Sequence, residues 1–344
     1  MSMDDSKMRR LVFELSGEHE TLPKSEIIAC IEAYGWHYDI IKSYDQVIIM
    51  DTDSDVNALA DRLALTHNIL EIILDCKNDA EDILKEAQTA DIKLKEGETF
   101  VVRVNRIKNY GSITADFERK LGAVFWHRGY PVNLTQPDAV LRALITEDRC
   151  IFGRLIRAID RAQYDERAPL KKPFFLPGVL MPRISRAVVN MSRITEGWML
   201  DPFSGTGGTL VEAGLISHDI KVVGCDIQKK MVYGTRKNLR HYGTNYHVIK
   251  EDSLNMGIKT GSVDAIVTDF PYGVSTPIAA ESLEVFYRNA LREMYRALKE
   301  GRYTVVICKE PMEKLLKEAG FIVIETHAQR IHKSLTRYIS LAKK

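Results

Sequence analysis

Asp201-Pro-Phe-Ser-Gly-Thr-Gly-Gly208 is the stretch that decides the fold. The apolar run from Trp198 to Phe203 predicts a strand, and Thr209 to Ile216 predicts a helix. The glycines therefore sit in a strand-to-helix turn. Gly205, Gly207 and Gly208 let backbone approach a ligand closely and leave N–H groups free at a helix start. The chain then keeps alternating. Strands are expected at Lys221–Asp226, Tyr246–Lys250, Val263–Thr268 and Tyr303–Cys308, with helices at Lys229–His241, Leu283–Leu298 and Met312–Ala319. Such a pattern is α/β: a doubly wound parallel sheet that binds ligands beyond the carboxyl ends of its strands. Two last strands, Phe321–Thr326 and Thr336–Leu341, are expected to close it as an antiparallel pair.

The charge at the turn separates two classes of ligand. A dinucleotide-binding loop would read GxGxxG and present N–H groups to a pyrophosphate. Here the loop reads Gly205-Thr-Gly-Gly208 behind the acidic strand end Asp201. A carboxylate repels pyrophosphate but favours the ammonium and sulfonium of S-adenosylmethionine. The competing reading is a tight glycine turn that binds nothing. Asp226 ends the next strand, where a carboxylate can accept both hydroxyls of a ribose. Asp252 follows the third strand and is placed either to accept from an adenine amino group or to cap a turn.

Asp269-Phe-Pro-Tyr272 follows the strand Ala265-Ile-Val-Thr268. An amino nitrogen on a base is a poor nucleophile because its lone pair is delocalised into the ring. Asp269 as acceptor, with a backbone carbonyl turned outward by Pro271, can align that lone pair, and Tyr272 can stack on the base.

Upstream, residues 1–77 read strand, helix, strand, strand, helix, strand, the order of a ferredoxin-like fold. The acidic turn Asp51–Asp55 lacks the glycine and closing glutamate of a calcium loop, so a solvated turn with a helix cap is expected. Residues 78–158 follow, with a helix at Ile83–Ala87, the strand Thr99–Ile107, a helix carrying Phe117, Leu121 and Phe125, and the strand Ala139–Thr146. Residues 159–174 form a proline-stiffened linker, and 175–344 the doubly wound domain.

Net charge is +1, but residues 1–100 carry 22 acidic against 10 basic side chains and residues 101–195 carry 17 basic against 8 acidic. A basic middle beside an acidic start suits a protein that lays one region on a polyanion. Arg154, Arg157 and Arg161 are spaced to share a helical face and, with Lys171 and Lys172, to meet successive phosphates. The alternative is a solvated face paired with Asp160, Asp165 and Glu166. No apolar run reaches the 18 residues of a membrane span, and the N-terminus lacks signal-peptide order. The five scattered cysteines show no zinc spacing and read as reduced thiols of a cytoplasmic protein that needs no metal.

The loop at 201–208, Asp226 and Asp269–Tyr272 resemble the signature positions of Rossmann-fold amino-methyltransferases, whose turn is usually Asp/Asn/Ser-Pro-Pro-aromatic. Lys172-Pro-Phe-Phe-Leu-Pro177 and Pro182-Arg-Ile-Ser-Arg-Ala-Val-Val-Asn190 are similar to that family's extra cofactor motif. The strand with Arg103 and Arg106, the Leu121-Gly122 helix and Val132-Asn-Leu…Gln-Pro-Asp138 resemble the RNA-binding THUMP domain. Arg330-Ile-His-Lys-Ser-Leu-Thr-Arg337 is similar to the tail of the archaeal and eukaryotic tRNA (guanine-N2-)-methyltransferases acting at position 10.

The resemblance covers essentially the whole chain. It implies a cofactor site made by Pro177, Asp201, Phe203, Ser204, Gly205, Thr206, Gly207, Asp226, Ile227, Asp252 and Ser253, and a catalytic turn made by Asp269, Phe270, Pro271 and Tyr272. It also implies tRNA as substrate and a monomer, unless a small activator protein joins it. One position departs, since Phe270 stands where the family has its first proline. Two further readings stay open: N2-guanine methylation at another tRNA or rRNA site, and an RNA-binding protein whose methyltransferase domain is inert.

Overall fold

The computed structural model describes residues 8–271, 280–332 and 335–344. Contacts divide it into two compact units. The first comprises residues up to Lys24, Gly35–Asp61 and Leu65–Asp160; the second comprises Ser25–Tyr34, Arg62–Ala64 and Arg161–Lys344. The described residues form two seven-stranded sheets.

The first sheet contains β1 (Arg9–Leu15), β2 (Tyr38–Tyr44), β3 (Val47–Thr52), β4 (Thr66–Lys77), β5 (Phe100–Arg106), β6 (Ala139–Thr146) and β7 (Arg149–Ala158). Helices α1 (Leu22–Ala33), α2 (Val56–Arg62), α3 (Ala80–Thr89) and α4 (Phe117–His127) are interspersed in the chain. The strand order is β2-β3-β1-β4-β7-β6-β5, antiparallel except for the parallel pair β5–β6. Its first four strands give the ferredoxin-like order. The twelve-residue β4 then pairs with β7, so one sheet runs on across residue 77. Its apolar core gathers Phe100, Phe117, Phe125 and Phe152, with Phe125 and Phe152 stacked at 5.6 Å. The acidic turn carries the expected cap: Asp55 Oδ1 accepts from Asn57 N at 2.8 Å at the start of α2.

One expectation fails here. Arg154 and Arg157 do not lie on a helix; both belong to β7. The run Cys150-Ile-Phe152 is fully buried between β4 and β6, and that two-sided burial outweighs the spacing of the arginines. A strand rises about 3.3 Å per residue, so its arginines are strung out instead of stacked. The missed signal was a hairpin, two β-rich runs separated only by the turn at Glu147–Asp148.

The second unit contains α5 (Ala162–Glu166), α6 (Pro182–Met191), β8 (Gly197–Asp201), α7 (Gly208–Gly214), β9 (Ile220–Asp226), α8 (Lys229–His241), β10 (Tyr246–Lys250), β11 (Val263–Asp269), α9 (Ala280–Ala297), β12 (Leu298–Cys308), α10 (Glu313–Glu318), β13 (Ile322–His332) and β14 (Leu335–Lys343). The order is β10-β9-β8-β11-β12-β14-β13, parallel from β10 to β12, with β14 antiparallel to both β12 and β13. This is the expected Rossmann-like sheet with an antiparallel end. Its order reverses between β8 and β11, so their carboxyl ends, Asp201 and Asp269, border the crevice where such sheets bind ligands. Among the described residues no helix is long and apolar enough to cross a membrane.

Candidate active site

β8 delivers Asp201 into the protein at 3% exposure. Its Oδ1 accepts from Thr268 Oγ1 at 2.7 Å and Phe203 N at 3.1 Å, and its Oδ2 from Thr209 Oγ1 at 2.5 Å. Burial pushes the carboxyl up to about 6, against which these three donors act. The folded chain thus holds a carboxylate short of positive charge at the mouth of a cleft.

The loop that follows is braced from three sides. Asp226 at the end of β9 accepts from Gly205 N at 3.1 Å and Gln228 N at 2.8 Å, and burial raises its pKa. Thr235 on α8 donates to Gly205 O at 2.7 Å, and Asn238 donates to Thr206 O at 2.9 Å. Gly207 caps α7 with φ +76, and a Cβ there would lie 2.7 Å from Thr235 Cγ2. Gly207→Ala is therefore expected to shift the loop and weaken cofactor binding about tenfold, the left-handed conformation alone costing roughly 1–2 kcal/mol for a residue with a side chain. Adding Thr235→Ser removes the opposing methyl, so calorimetry should show the double variant binding more tightly than Gly207→Ala alone.

A cleft of about 200 Å³ opens above this loop. Pro177, Asp201, Phe203, Ser204, Gly205, Thr206 and Asp269 all line it, so the structure brings together seven of the expected site residues. Ser185 on α6 lines it too; it lies in the stretch that resembles the extra cofactor motif but was not singled out as a site residue. The Oγ atoms of Ser185 and Ser204 are buried without a hydrogen-bond partner, donors and acceptors suited to a polar ligand. Two carboxylates, two such hydroxyls and a glycine-rich backbone fit a cationic, hydroxyl-bearing group such as S-adenosylmethionine. Asp226, Ile227, Asp252 and Ser253 lie outside this lining. Asp226 holds the loop from behind, Ile227 is exposed, Asp252 caps a turn by accepting from Leu254 N at 3.0 Å, and Ser253 is buried.

At the end of β11, Asp269 faces the cleft and Phe270 turns inward at 2% exposure. The Phe270 ring lies 5.0 Å from Phe203 and 5.1 Å from Tyr287. Pro271 O accepts from the Tyr287 hydroxyl at 2.9 Å. Tyr272 lies outside the described residues.

The basic residues scatter. Arg154 pairs with Glu98 at 3.5 Å and Arg157 with Asp61 at 3.7 Å, while exposed Lys171 meets Glu166 at 3.0 Å. Arg161 sits at the N-cap of α5. Lys172 corrects the expectation of a surface contact. It is 8% exposed, its ammonium would lie 3.7 Å from a Cβ at Gly208, and burial lowers its pKa. Lys172 belongs beneath the loop, where spacing alone could not place it.

Residues 169–339 match the UPF0020 family, described as an RMKL-like methyltransferase domain, and residues 77–153 match the THUMP domain. The tRNA (guanine(10)-N2)-dimethyltransferase of Methanothermobacter thermautotrophicus is 36% identical over 337 residues, spanning 96% of this chain and 98% of that protein. The enzyme of the same description from Pyrococcus abyssi is 35% identical over 87% of this chain and 89% of its own. Among solved structures, TrmN from Thermus thermophilus aligns over 98% of this chain and all of its own with a TM-score of 0.58 at 20% identity, a likeness of fold.

Proposed function

This chain belongs to the archaeal tRNA (guanine(10)-N2)-dimethyltransferase family, and from that membership we propose that it methylates the exocyclic N2 of a guanosine in tRNA, at position 10, once or twice, with S-adenosylmethionine as donor. The observation that carries the reading is the convergence of Asp201 and Asp269 on one cleft at the switch point of the sheet. Asp201, Phe203 and the 204–207 loop, with Asp226 behind it, would hold the cofactor, which would supply an electrophilic methyl group and keep the electron pair of the broken carbon–sulfur bond on its sulfur. Asp269 accepts a hydrogen bond from the guanine amino group and so turns the nitrogen lone pair toward that methyl. The surplus amino proton passes to the Asp269 carboxylate and then to water. Phe203, backed by the buried Phe270 ring 5.0 Å away, gives the cleft an apolar wall. The target base is extruded from its stack to reach the cleft. Residues 78–158 form the RNA-binding module, and the cytoplasm is the compartment in which such a substrate is met. Incubating the protein with labelled cofactor and an unmodified tRNA transcript tests the reading: label in the RNA supports it, and its absence from every transcript, with cofactor bound, refutes it.

The charge on Asp201 gives this proposal a thermodynamic check. The folded pKa of about 6 lies above the ordinary 3.8, so the folded chain holds the proton more tightly than the unfolded chain does. Below the ordinary value neither state is ionised and the carboxyl costs nothing. The cost grows as pH rises through that interval and is complete above the folded value, roughly 3 kcal/mol. A cation in the cleft offsets it. Asp201→Asn is expected to raise the melting temperature of the cofactor-free protein at pH 7.5 and to weaken cofactor binding at least about tenfold, the trade-off of a strained site. Calorimetry showing wild-type affinity in the Asn variant would rule out this role.

A further inference from the structure

Resting on the reading of the site as an amino-methyltransferase, we propose that Tyr287 on α9 is a positioning residue that sets the catalytic turn, supplying the rigidity that a first proline would give. A proline at position 270 would lock φ and lack an N–H. Phe270 does neither, and three other anchors take over. Its N–H donates to Ile307 O of β12 at 2.9 Å, which ties the turn to the neighbouring strand. Its ring is packed at 5.0 Å from Phe203 of the cofactor loop and 5.1 Å from Tyr287. The Tyr287 hydroxyl then donates to Pro271 O at 2.9 Å, holding that carbonyl in place.

Tyr287 is itself held. It is 3% exposed, and Phe286 beside it packs at 5.6 Å on Phe203. The aromatic group thus links the loop that would carry the cofactor, the turn that would grip the amino group, and the helix α9. Tyr287 does not line the cleft, so it acts through the turn and touches neither reactant. What it controls is alignment, and a misalignment of about 1 Å can cost up to a hundredfold in rate.

The experiment compares wild type, Tyr287→Phe and Tyr287→Leu on one unmodified tRNA transcript, with cofactor affinity measured separately by calorimetry. Tyr287→Phe keeps the ring and loses only the hydroxyl. It is expected to lower kcat about tenfold, to leave KM for tRNA and the cofactor Kd within about twofold, and to melt within a few degrees of wild type. Tyr287→Leu also removes the ring beneath Phe270 and is expected to lose more in kcat and to bind cofactor less well through Phe203. A Tyr287→Phe enzyme with wild-type kcat overturns the inference, as does one whose loss lies entirely in KM or in cofactor affinity. Absence of turnover in the wild type refutes the reading of the site, and this inference with it. Normal wild-type turnover beside an unaffected Tyr287→Phe refutes the role of Tyr287 alone.

Discussion

Replacing Asp269 by alanine is expected to lower the rate of methyl transfer at least about a hundredfold while leaving cofactor affinity within a few-fold. The side chain stands at the carboxyl end of β11, half-buried, on the lining of the cleft that Asp201 also borders. Among the described residues no other carboxylate lines that cleft, and Asp201 is already engaged by Thr209, Thr268 and the Phe203 N–H. Among the described residues of the cleft, none is left to take over as acceptor for the amino group. Asp269→Asn keeps an acceptor oxygen and loses the proton sink, so its loss should be smaller than that of the alanine variant. Single-turnover assays with labelled cofactor separate the chemical step from product release. Retention of more than a tenth of the wild-type rate by Asp269→Ala would contradict the assignment.

The second large effect concerns stability. Glu212 on α7 is fully buried and accepts from Arg167 Nε at 2.8 Å and Nη2 at 3.1 Å, with Arg186 Nη2 at 3.2 Å. The Tyr164 ring lies 4.9 Å from one guanidinium and 5.7 Å from the other. Both arginines are buried, at 9% and 2% exposure. Glu212→Ala would leave two cations out of water with no countercharge, a loss of about 3–5 kcal/mol. The whole cluster need not be net stabilising, because an apolar replacement of similar shape avoids the desolvation altogether. Breaking it from one side is what costs. The damage should also reach function, since α7 begins at the glycine loop and the same carboxylate favours the charged form of Lys172 beneath it. Denaturant unfolding measures the first effect and cofactor calorimetry the second. A loss below about 1 kcal/mol would mean that water or a rearranged side chain compensates the arginines.

The site was legible in the sequence where it is built from strand ends. Asp201, Asp226 and Asp269 each close an apolar run, and strand periodicity with glycine punctuation is local information. The doubly wound parallel sheet closed by an antiparallel pair followed from the alternation of strands and helices. What stayed hidden depends on partners far along the chain. Thr235 and Asn238 look like ordinary helix residues until α8 is laid against the loop thirty residues earlier. Ser185 and Lys172 lie in stretches that resemble a cofactor motif, but which of their side chains reach the loop shows only when α6 and the connector pack onto it. β7 was misread because its arginines happen to recur at helical spacing, while the pairing that overrides them involves β4, some eighty residues upstream. Phe270 departs from the turn of the resembled family, and the sequence alone shows only the missing proline. Its compensation through Phe203, Ile307 and Tyr287 is a matter of packing.

Methylation of the N2 of one guanosine in tRNA is what the site, the THUMP domain and the family together imply for this chain. Its most direct test is to incubate the protein with isotope-labelled S-adenosylmethionine and an unmodified tRNA transcript, cut the product with a base-specific nuclease and weigh the fragments and nucleosides by mass spectrometry. N2-methylguanosine and N2,N2-dimethylguanosine are expected, confined to the fragment that contains position 10. Label on an adenosine amino group, on a guanosine of another fragment, or on no nucleotide at all would contradict it.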